Sequence, residues 1–175
     1  MGPDMNQYDP VEKVKRIQSC LESGPAERVA LRPTLRWNLE TKRKDLKGVT
    51  QPVIADLAAL LNTAGGTLLI GVDAQGQTIG LEFDRLHDDR TFIGHVKELV
   101  IQWLGTRVLD LIDIDIYTSE GKRVCVAECQ QSAGPIFLKT PFAPARCPVR
   151  QGPVTVVLPA EEQAQFFASR RVIAN

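Results

Sequence analysis

The stretch Asn62-Thr63-Ala64-Gly65-Gly66-Thr67-Leu68-Leu69-Ile70-Gly71-Val72-Asp73 decides how this chain folds. It follows an apolar helical run from Val53 to Leu61. Because glycine has no Cβ, Gly65-Gly66 permits a positive φ and a tight turn between helix and strand. The apolar residues after the turn predict a buried strand, which Asp73 closes. This unit is either the core of a site with a carboxylate at the strand end, or only a helix cap that leads into a core strand.

Composition places the chain among ordinary globular domains. It has 175 residues, 43% hydrophobic and 24% charged, which suits one domain with a proper core. The formal net charge is zero, so nucleic-acid binding would need a local basic surface. No apolar run approaches the roughly 20 residues of a membrane span, and no signal peptide is evident, so we expect a cytoplasmic protein without membrane partners. The start, Met1 to Met5, is typical of an expression scar, which predicts a fragment of a longer protein.

The four cysteines do not predict a metal site. Cys125 and Cys129 lie four apart in a strand-like run, so they face the same way but stand roughly 13 Å apart at strand rise. Cys20 and Cys147 have no Cys or His neighbours in the sequence. Reduced, mostly structural thiols are the favoured interpretation.

The periodicity of apolar residues predicts alternating helices and short strands. Helices are expected to begin at Asp9-Pro10, at Thr50, within 84–89 and at Pro159. Strands are expected at 35–44, 67–73, 78–81, 111–117, 123–129, 136–139 and 155–158, whereas 28–33 is expected to be an irregular link. Because consecutive strands are joined by tight turns, the predicted fold class is α/β (α+β), a mixed, largely antiparallel sheet flanked by helices.

Three features of the sequence could carry chemistry. The first is Glu40-Thr41-Lys42, whose alternation predicts that Glu40 and Lys42 share one strand face; its basic neighbours are Arg36, Arg43, Lys44 and Lys47. The second is Asp73, and the third comprises Lys139, Arg146 and Arg150. Each has a plainer explanation: a charged edge strand, a turn residue and ordinary surface.

The order of these motifs resembles the Schlafen AlbA-type domain family. The resemblance rests on Leu39 to Lys42, on Asn62 to Asp73, and on three shorter segments: 79–81, 135–138 and 149–152. It implies an α/β nucleic-acid-binding module, usually part of a longer regulator or effector. The predicted domain therefore covers 35–162, after a start at 1–8 and a helix with its link at 9–34, and before a C-terminal helix and tail at 163–175. Asn62, Gly65, Gly66 and Gly71 belong to its structural motif.

Some members of the family resemble divalent-metal-dependent endoribonucleases that act on structured RNA such as tRNA. The resemblance implies that these members bind the metal with three carboxylates. The second of these matches Glu40, and the third matches Asp73. The first has no counterpart, because Leu35 or Arg36 stands in its place. Glu40 and Asp73 would then be metal ligands for Mg²⁺ or Mn²⁺, and Glu22, Glu27 or Glu82 would have to supply the third carboxylate; otherwise no cofactor is expected.

Three functions remain open on the sequence alone. The leading hypothesis is a module that binds the phosphates of DNA or tRNA-like RNA through seven basic residues: Lys42, Arg43, Lys44, Lys47, Lys139, Arg146 and Arg150. The second is the nuclease that uses Glu40 and Asp73. The third is self-association, in which a homodimer would rebuild the two-lobed groove of family members that carry this unit twice. Nucleotide binding ranks below these, because the glycines follow a helix instead of preceding one.

Overall fold

The computed structural model describes residues 10–173 and contains helices on both faces of a central sheet. The α-helices are α1 (Pro10–Ser23), α2 (Gln51–Asn62), α3 (Asp89–Trp103) and α4 (Ala160–Ser169). The strands are β1 (Val29–Arg32), β2 (Trp37–Asn38), β3 (Arg43–Lys44), β4 (Gly66–Ile70), β5 (Ile112–Ser119), β6 (Lys122–Cys129), β7 (Leu138–Thr140), β8 (Ala143–Gln151) and β9 (Val154–Leu158). Among the described helices, none is both long and apolar enough to cross a bilayer.

The central sheet has the strand order β1-β4-β6-β5. Only the β1–β4 pair in it is parallel, so the predicted mixed, largely antiparallel sheet is confirmed. Alternate residues of β4 and β6 enter two different cores. Leu68 and Ala127 pack against α2 and α3, whereas Leu69 and Val126 pack against Ile17 of α1. The result is a three-layer α/β/α arrangement.

A second sheet, of order β7-β8-β9, is antiparallel throughout. One face packs against α2, and the other packs against the phenylalanines of α4 through Cys147 and Val149. Buried Asn62, the last residue of α2, joins the two regions. Its Nδ2 donates to the carbonyl oxygens of Ile136 and Pro148 at 2.9 and 2.8 Å, and its Oδ1 accepts from the Ile136 N–H at 2.7 Å.

The Gly-Gly turn has the predicted geometry, with φ of 72° at Gly65 and 138° at Gly66. The lack of space for a Cβ is the second reason why these two positions require glycine. A Cβ on Gly65 would lie 2.7 Å from the Cys129 carbonyl oxygen, and one on Gly66 would collide with the Arg28 carbonyl. The close approach is therefore between neighbouring strands of the protein itself.

The sequence predictions fail in four places. The supposed irregular link contains β1. The supposed strand 35–44 is two two-residue strands joined by a turn, so Glu40 and Lys42 do not share a strand face. The supposed partner strand 78–81 makes only a single bridge, between Val72 and Thr78. No strand was predicted at 143–151, where β8 lies. The third helix begins at Asp89 behind an Asp88 cap, within the predicted 84–89. The Asp9 cap lies outside the described residues.

Cys125 and Cys129 face the same way, as their four-residue spacing predicts. All four thiols are free, and Cys125 and Cys129 both face the larger core. Burial raises the pKa of the Cys129 thiol to about 12. Burial likewise raises the pKa of Cys125, so these two core thiols are protonated at neutral pH and pack as small apolar groups.

Candidate nucleic-acid interface

The β2–β3 hairpin is held to the domain by one buried carboxylate. Asp84 is 1% exposed and lies in the short 3₁₀ turn Glu82–Asp84. Its Oδ2 accepts from the Leu35 N–H at 2.8 Å, and its Oδ1 accepts from the N–H groups of Arg36 and Trp37 at 2.8 and 3.0 Å. Burial raises the pKa of Asp84, while these three donors act in the opposite direction. The base of the hairpin is thereby fixed.

The tip of the hairpin is ordered by Asn38. Its Oδ1 accepts from the N–H groups of Glu40 and Thr41 at 2.9 and 3.1 Å, and its Nδ2 donates to Asp45 Oδ2 at 3.0 Å. Lys42 takes a positive φ of 58°, and its N–H donates to the Asn38 carbonyl at 2.8 Å. This turn leaves Glu40 and Lys42 exposed at the tip.

Cationic side chains collect beside this hairpin. Arg43 and Lys44 of β3 and Lys47 of the following π-helical turn (Leu46–Thr50) are all exposed. We call the surface hollow next to them the basic depression; it is lined by Arg36, Lys44, Asp45, Leu46, Lys47, His95 and Phe142. Phe142 comes from the β7–β8 turn, so the depression lies between the two hairpins.

The charge of the basic depression is not cancelled by its one acid. Asp45 is the only carboxylate in its lining, against three permanently cationic residues. That carboxylate is already engaged, since it accepts from Asn38 Nδ2 and, at 2.8 Å, from the Gly48 N–H. The hydrogen bond from Asn38 and that from Gly48 lower the pKa of Asp45. The surface can therefore attract anions although the whole chain is neutral.

His95 and Arg85 join this region, and neither was predicted from the sequence. His95 of α3 lines the basic depression, and within residues 10–173 its Nε2 is buried without a hydrogen-bond partner. Arg85 follows the Asp84 anchor in a left-handed conformation and places its guanidinium carbon 4.3 Å from the centre of the Trp37 ring. No sequence pattern marks either residue, because the hairpin contacts that define their roles are long-range.

The two predicted metal ligands occupy separate turns. Glu40 lies at the hairpin tip, whereas Asp73 lies in the turn after β4. Asp73 Oδ1 accepts from the N–H groups of Gln75 and Gln77 at 3.0 and 2.9 Å, as an ordinary turn carboxylate does. Among residues 10–173, no group of three His, Cys, Asp or Glu side chains could hold a metal ion. Of the candidates for a third carboxylate, Glu82 lies 3.5 Å from Arg123.

The members of the third basic group differ in burial. Lys139 on β7 is exposed. Arg146 is half-buried, and its Nη1 is shielded from solvent. Arg150, which was predicted to contact phosphate, has a side chain that is only 3% exposed. The Arg150 guanidinium instead donates to the carbonyl oxygens of Ala26 and Val29 at 2.6 and 2.9 Å.

Arg150 belongs to a buried polar network around Asp56. Asp56 is 2% exposed on α2 and accepts from Arg32 Nε at 2.6 Å and from the Thr155 hydroxyl at 2.8 Å. Arg150 Nη1 donates to the same hydroxyl at 3.1 Å and lies 4.0 Å from Asp56. The network joins β1, α2, β8 and β9. The only sequence signal was an aspartate inside the apolar run from Val53 to Leu61.

Replacing Asp84 with asparagine is expected to lower the free energy of unfolding by about 1–3 kcal/mol, measured by urea denaturation. The carboxamide has one acceptor oxygen where the carboxylate has two, so at least one of the three N–H groups, of which that of Leu35 is buried, loses its acceptor. The matched control is Asp88→Asn, because Asp88 caps α3 through the Thr91 N–H at 2.7 Å and asparagine caps equally well. Equal stability of the two variants would contradict the anchoring role.

Comparison with known proteins places this geometry in a family. The Schlafen, AlbA_2 family profile matches residues 36–158, which include both hairpins and the Gly-Gly turn. Among curated proteins, none matches the chain significantly.

Two solved structures resemble the domain. The DIP2311 protein from Corynebacterium diphtheriae matches with a TM-score of 0.61 and 19% identity over 91% of this chain, which spans 32% of that chain. The N-terminal domain of a RecG-related protein from Nitrosomonas europaea matches with a TM-score of 0.48 and 16% identity, over 74% of this chain and 82% of that one. The first likeness shows the fold. The family profile covers well over half of this chain, which therefore belongs to the Schlafen AlbA_2 family.

Proposed function

We propose that this domain binds the phosphate backbone of nucleic acid, duplex DNA or structured RNA, through the β2–β3 hairpin and the basic depression. The observation that carries the proposal is the anchored cluster of cations on and beside the hairpin. Arg36 is half-buried, and the exposed members are Lys42, Arg43, Lys44 and Lys47. Lysine and arginine gain most of their nucleic-acid affinity from phosphates and released counterions. Lys139 and Arg146 would extend the surface, and Arg150 would not.

Preorganisation supports this use of the hairpin. The three hydrogen bonds that Asp84 accepts and the two that Asn38 Oδ1 accepts from the tip hold the backbone before any ligand arrives. A fixed array of cations loses less conformational entropy on binding than a mobile loop does. The overall neutral charge favours a local contact over attraction by the whole surface.

The aromatic residues favour recognition of backbone and shape over reading of unstacked bases. Trp103 is 7% exposed and belongs to the core. The Arg85 guanidinium lies over one face of the Trp37 ring. Phe142 of the basic depression is 36% exposed, and its ring is engaged in a T-shaped contact with Trp103. Proteins that read single strands usually present open aromatic faces on which the bases stack. Duplex DNA and folded RNA therefore suit this surface better than single strands do.

The test is a fluorescence-anisotropy titration of labelled duplex DNA and tRNA with the purified domain, with and without Mn²⁺, followed by a gel of the recovered substrate. Binding that leaves the substrate intact supports a binding module. Metal-dependent cleavage of the substrate would instead support a nuclease. Absence of binding to either substrate at low salt would overturn the proposal. Light scattering on the same sample addresses a homodimer, which a mass near 19.3 kDa would exclude.

A metal-dependent nuclease that uses Glu40 and Asp73 is the second candidate, favoured only because both residues stand at family motif positions. Glu40→Gln is expected to leave Mn²⁺ binding unchanged, because Glu40 is exposed and no group of three ligand side chains exists among residues 10–173. Isothermal titration of Mn²⁺ into both proteins checks this. Loss of a saturable Mn²⁺ site in Glu40→Gln, with the fold intact, would instead establish the metal role.

A further inference from the structure

We propose that the basic depression binds one backbone phosphate together with a proton on His95, so that nucleic-acid affinity rises as the pH falls. The inference rests on the proposed function and adds a regulatory property to that site. The ligand group is a phosphate diester of the nucleic-acid backbone. His95 is the only histidine of the depression, and the chain has one other, His87.

The geometry puts the imidazole among groups that would surround a bound anion. Arg36, Lys44 and Lys47 line the same hollow as His95. Arg36 is held in place, because its Nε donates to the Asp84 carbonyl at 2.9 Å. Within the described part of the chain, His95 Nε2 has no hydrogen-bond partner although it is buried. A protonated imidazole has two N–H donors, whereas a neutral imidazole has one.

The charges that face His95 act in opposing directions. Burial is the largest influence and lowers the pKa of His95; Arg36 and Lys44 lower it further, whereas Glu98 and Asp84 raise it. The Glu98 carboxylate lies 3.9 Å from His95 Nδ1 on the same helix. Nearby cations therefore disfavour the imidazolium in the free protein, and a phosphate that neutralised them would favour it.

The direction of the pH effect follows from linkage. In the free protein, the pKa of His95 lies below its ordinary 6.5, so the neutral ring is favoured. The neutral ring's contribution to folding stability is therefore lost as the pH falls. A bound phosphate raises that pKa, so binding takes up a proton. Affinity at constant ionic strength is then expected to be about three- to tenfold greater at pH 5.5 than at pH 7.5.

The first experiment compares duplex affinity at pH 5.5 and pH 7.5 for wild type, His95→Gln and His87→Gln. His87 is an exposed histidine outside the basic depression, which makes it the matched control. The expected result is a pH dependence retained in His87→Gln and absent in His95→Gln. The same pH dependence in His95→Gln as in wild type would overturn the inference.

The second experiment needs no variant. NMR titration of the two imidazoles of wild type, with and without a short DNA duplex, reports the pKa of each ring. The duplex is expected to raise the pKa of His95 and to leave that of His87 nearly unchanged. If the duplex binds and the pKa of His95 does not change, this inference is overturned and the proposed function is not. Absence of duplex or tRNA binding at every pH would overturn the proposed function, and this inference with it.

Discussion

Replacing Arg150 with alanine is expected to lower the free energy of unfolding by about 3–5 kcal/mol, the cost typical of breaking a buried charged pair. The guanidinium donates to the carbonyl oxygens of Ala26 and Val29 and to the Thr155 hydroxyl, and it lies 4.0 Å from Asp56. Alanine would remove these hydrogen bonds, although the Ala26 and Val29 carbonyl oxygens would each still accept from the other residue's N–H. It would also remove one of the two cations that stabilise the Asp56 carboxylate.

Urea denaturation followed by far-UV circular dichroism measures this effect. The matched control is Lys139→Ala, which removes an exposed cation from the neighbouring strand and is expected to change the free energy of unfolding by less than about 0.5 kcal/mol. A stable Arg150→Ala protein that has lost nucleic-acid affinity would contradict the structural role. It would return Arg150 to the binding surface.

Reversing two charges in the basic depression, Lys44→Glu with Lys47→Glu, is expected to weaken duplex binding by about 100-fold or more at 50 mM salt. Both side chains are exposed and line the hollow next to Arg36. Glutamate at these positions would repel phosphates instead of attracting them. Since both residues are exposed, the free energy of unfolding should change little. Fluorescence anisotropy and urea denaturation on the same preparations separate binding from folding.

The control for charge reversal is Lys15→Glu. Lys15 lies on α1, on the opposite face of the central sheet from α3, and its side chain is 65% exposed. We expect it to weaken binding less than either Lys44→Glu or Lys47→Glu alone does. Equal effects from all three single variants would mean that affinity follows net charge, which would contradict a local binding surface.

Local patterns were sufficient to predict much of the fold. The Gly-Gly turn, the apolar α2 and the β5–β6 hairpin all follow from residues that are close in sequence. β1 escaped prediction because Val29–Arg32 is short and pairs in parallel with β4, a contact that no local pattern encodes. The β2–β3 hairpin was mistaken for one strand because alternating polarity over 39–42 suits a strand, whereas Asn38 in fact stabilises a turn there.

The candidate site was only partly predictable, for the same reason. Lys44 and Lys47 were identified from a run of basic residues, and they are exposed as that run suggested. Arg150 looked like a similar surface residue, but its side chain is buried beside Asp56, which is far away in the sequence. Sequence likewise marked Asp84 only as near a helix start, although its buried carboxylate organises the hairpin.

The most direct test of the account is the salt dependence of duplex binding by wild type and by Lys44→Gln with Lys47→Gln. If the hairpin and the basic depression bind phosphates, the logarithm of the association constant should fall with the logarithm of salt concentration with a slope of about −3 to −5. The double variant should lower affinity and make that slope shallower by about two. A slope near zero in wild type, or equal slopes in both proteins, would contradict backbone binding at this surface.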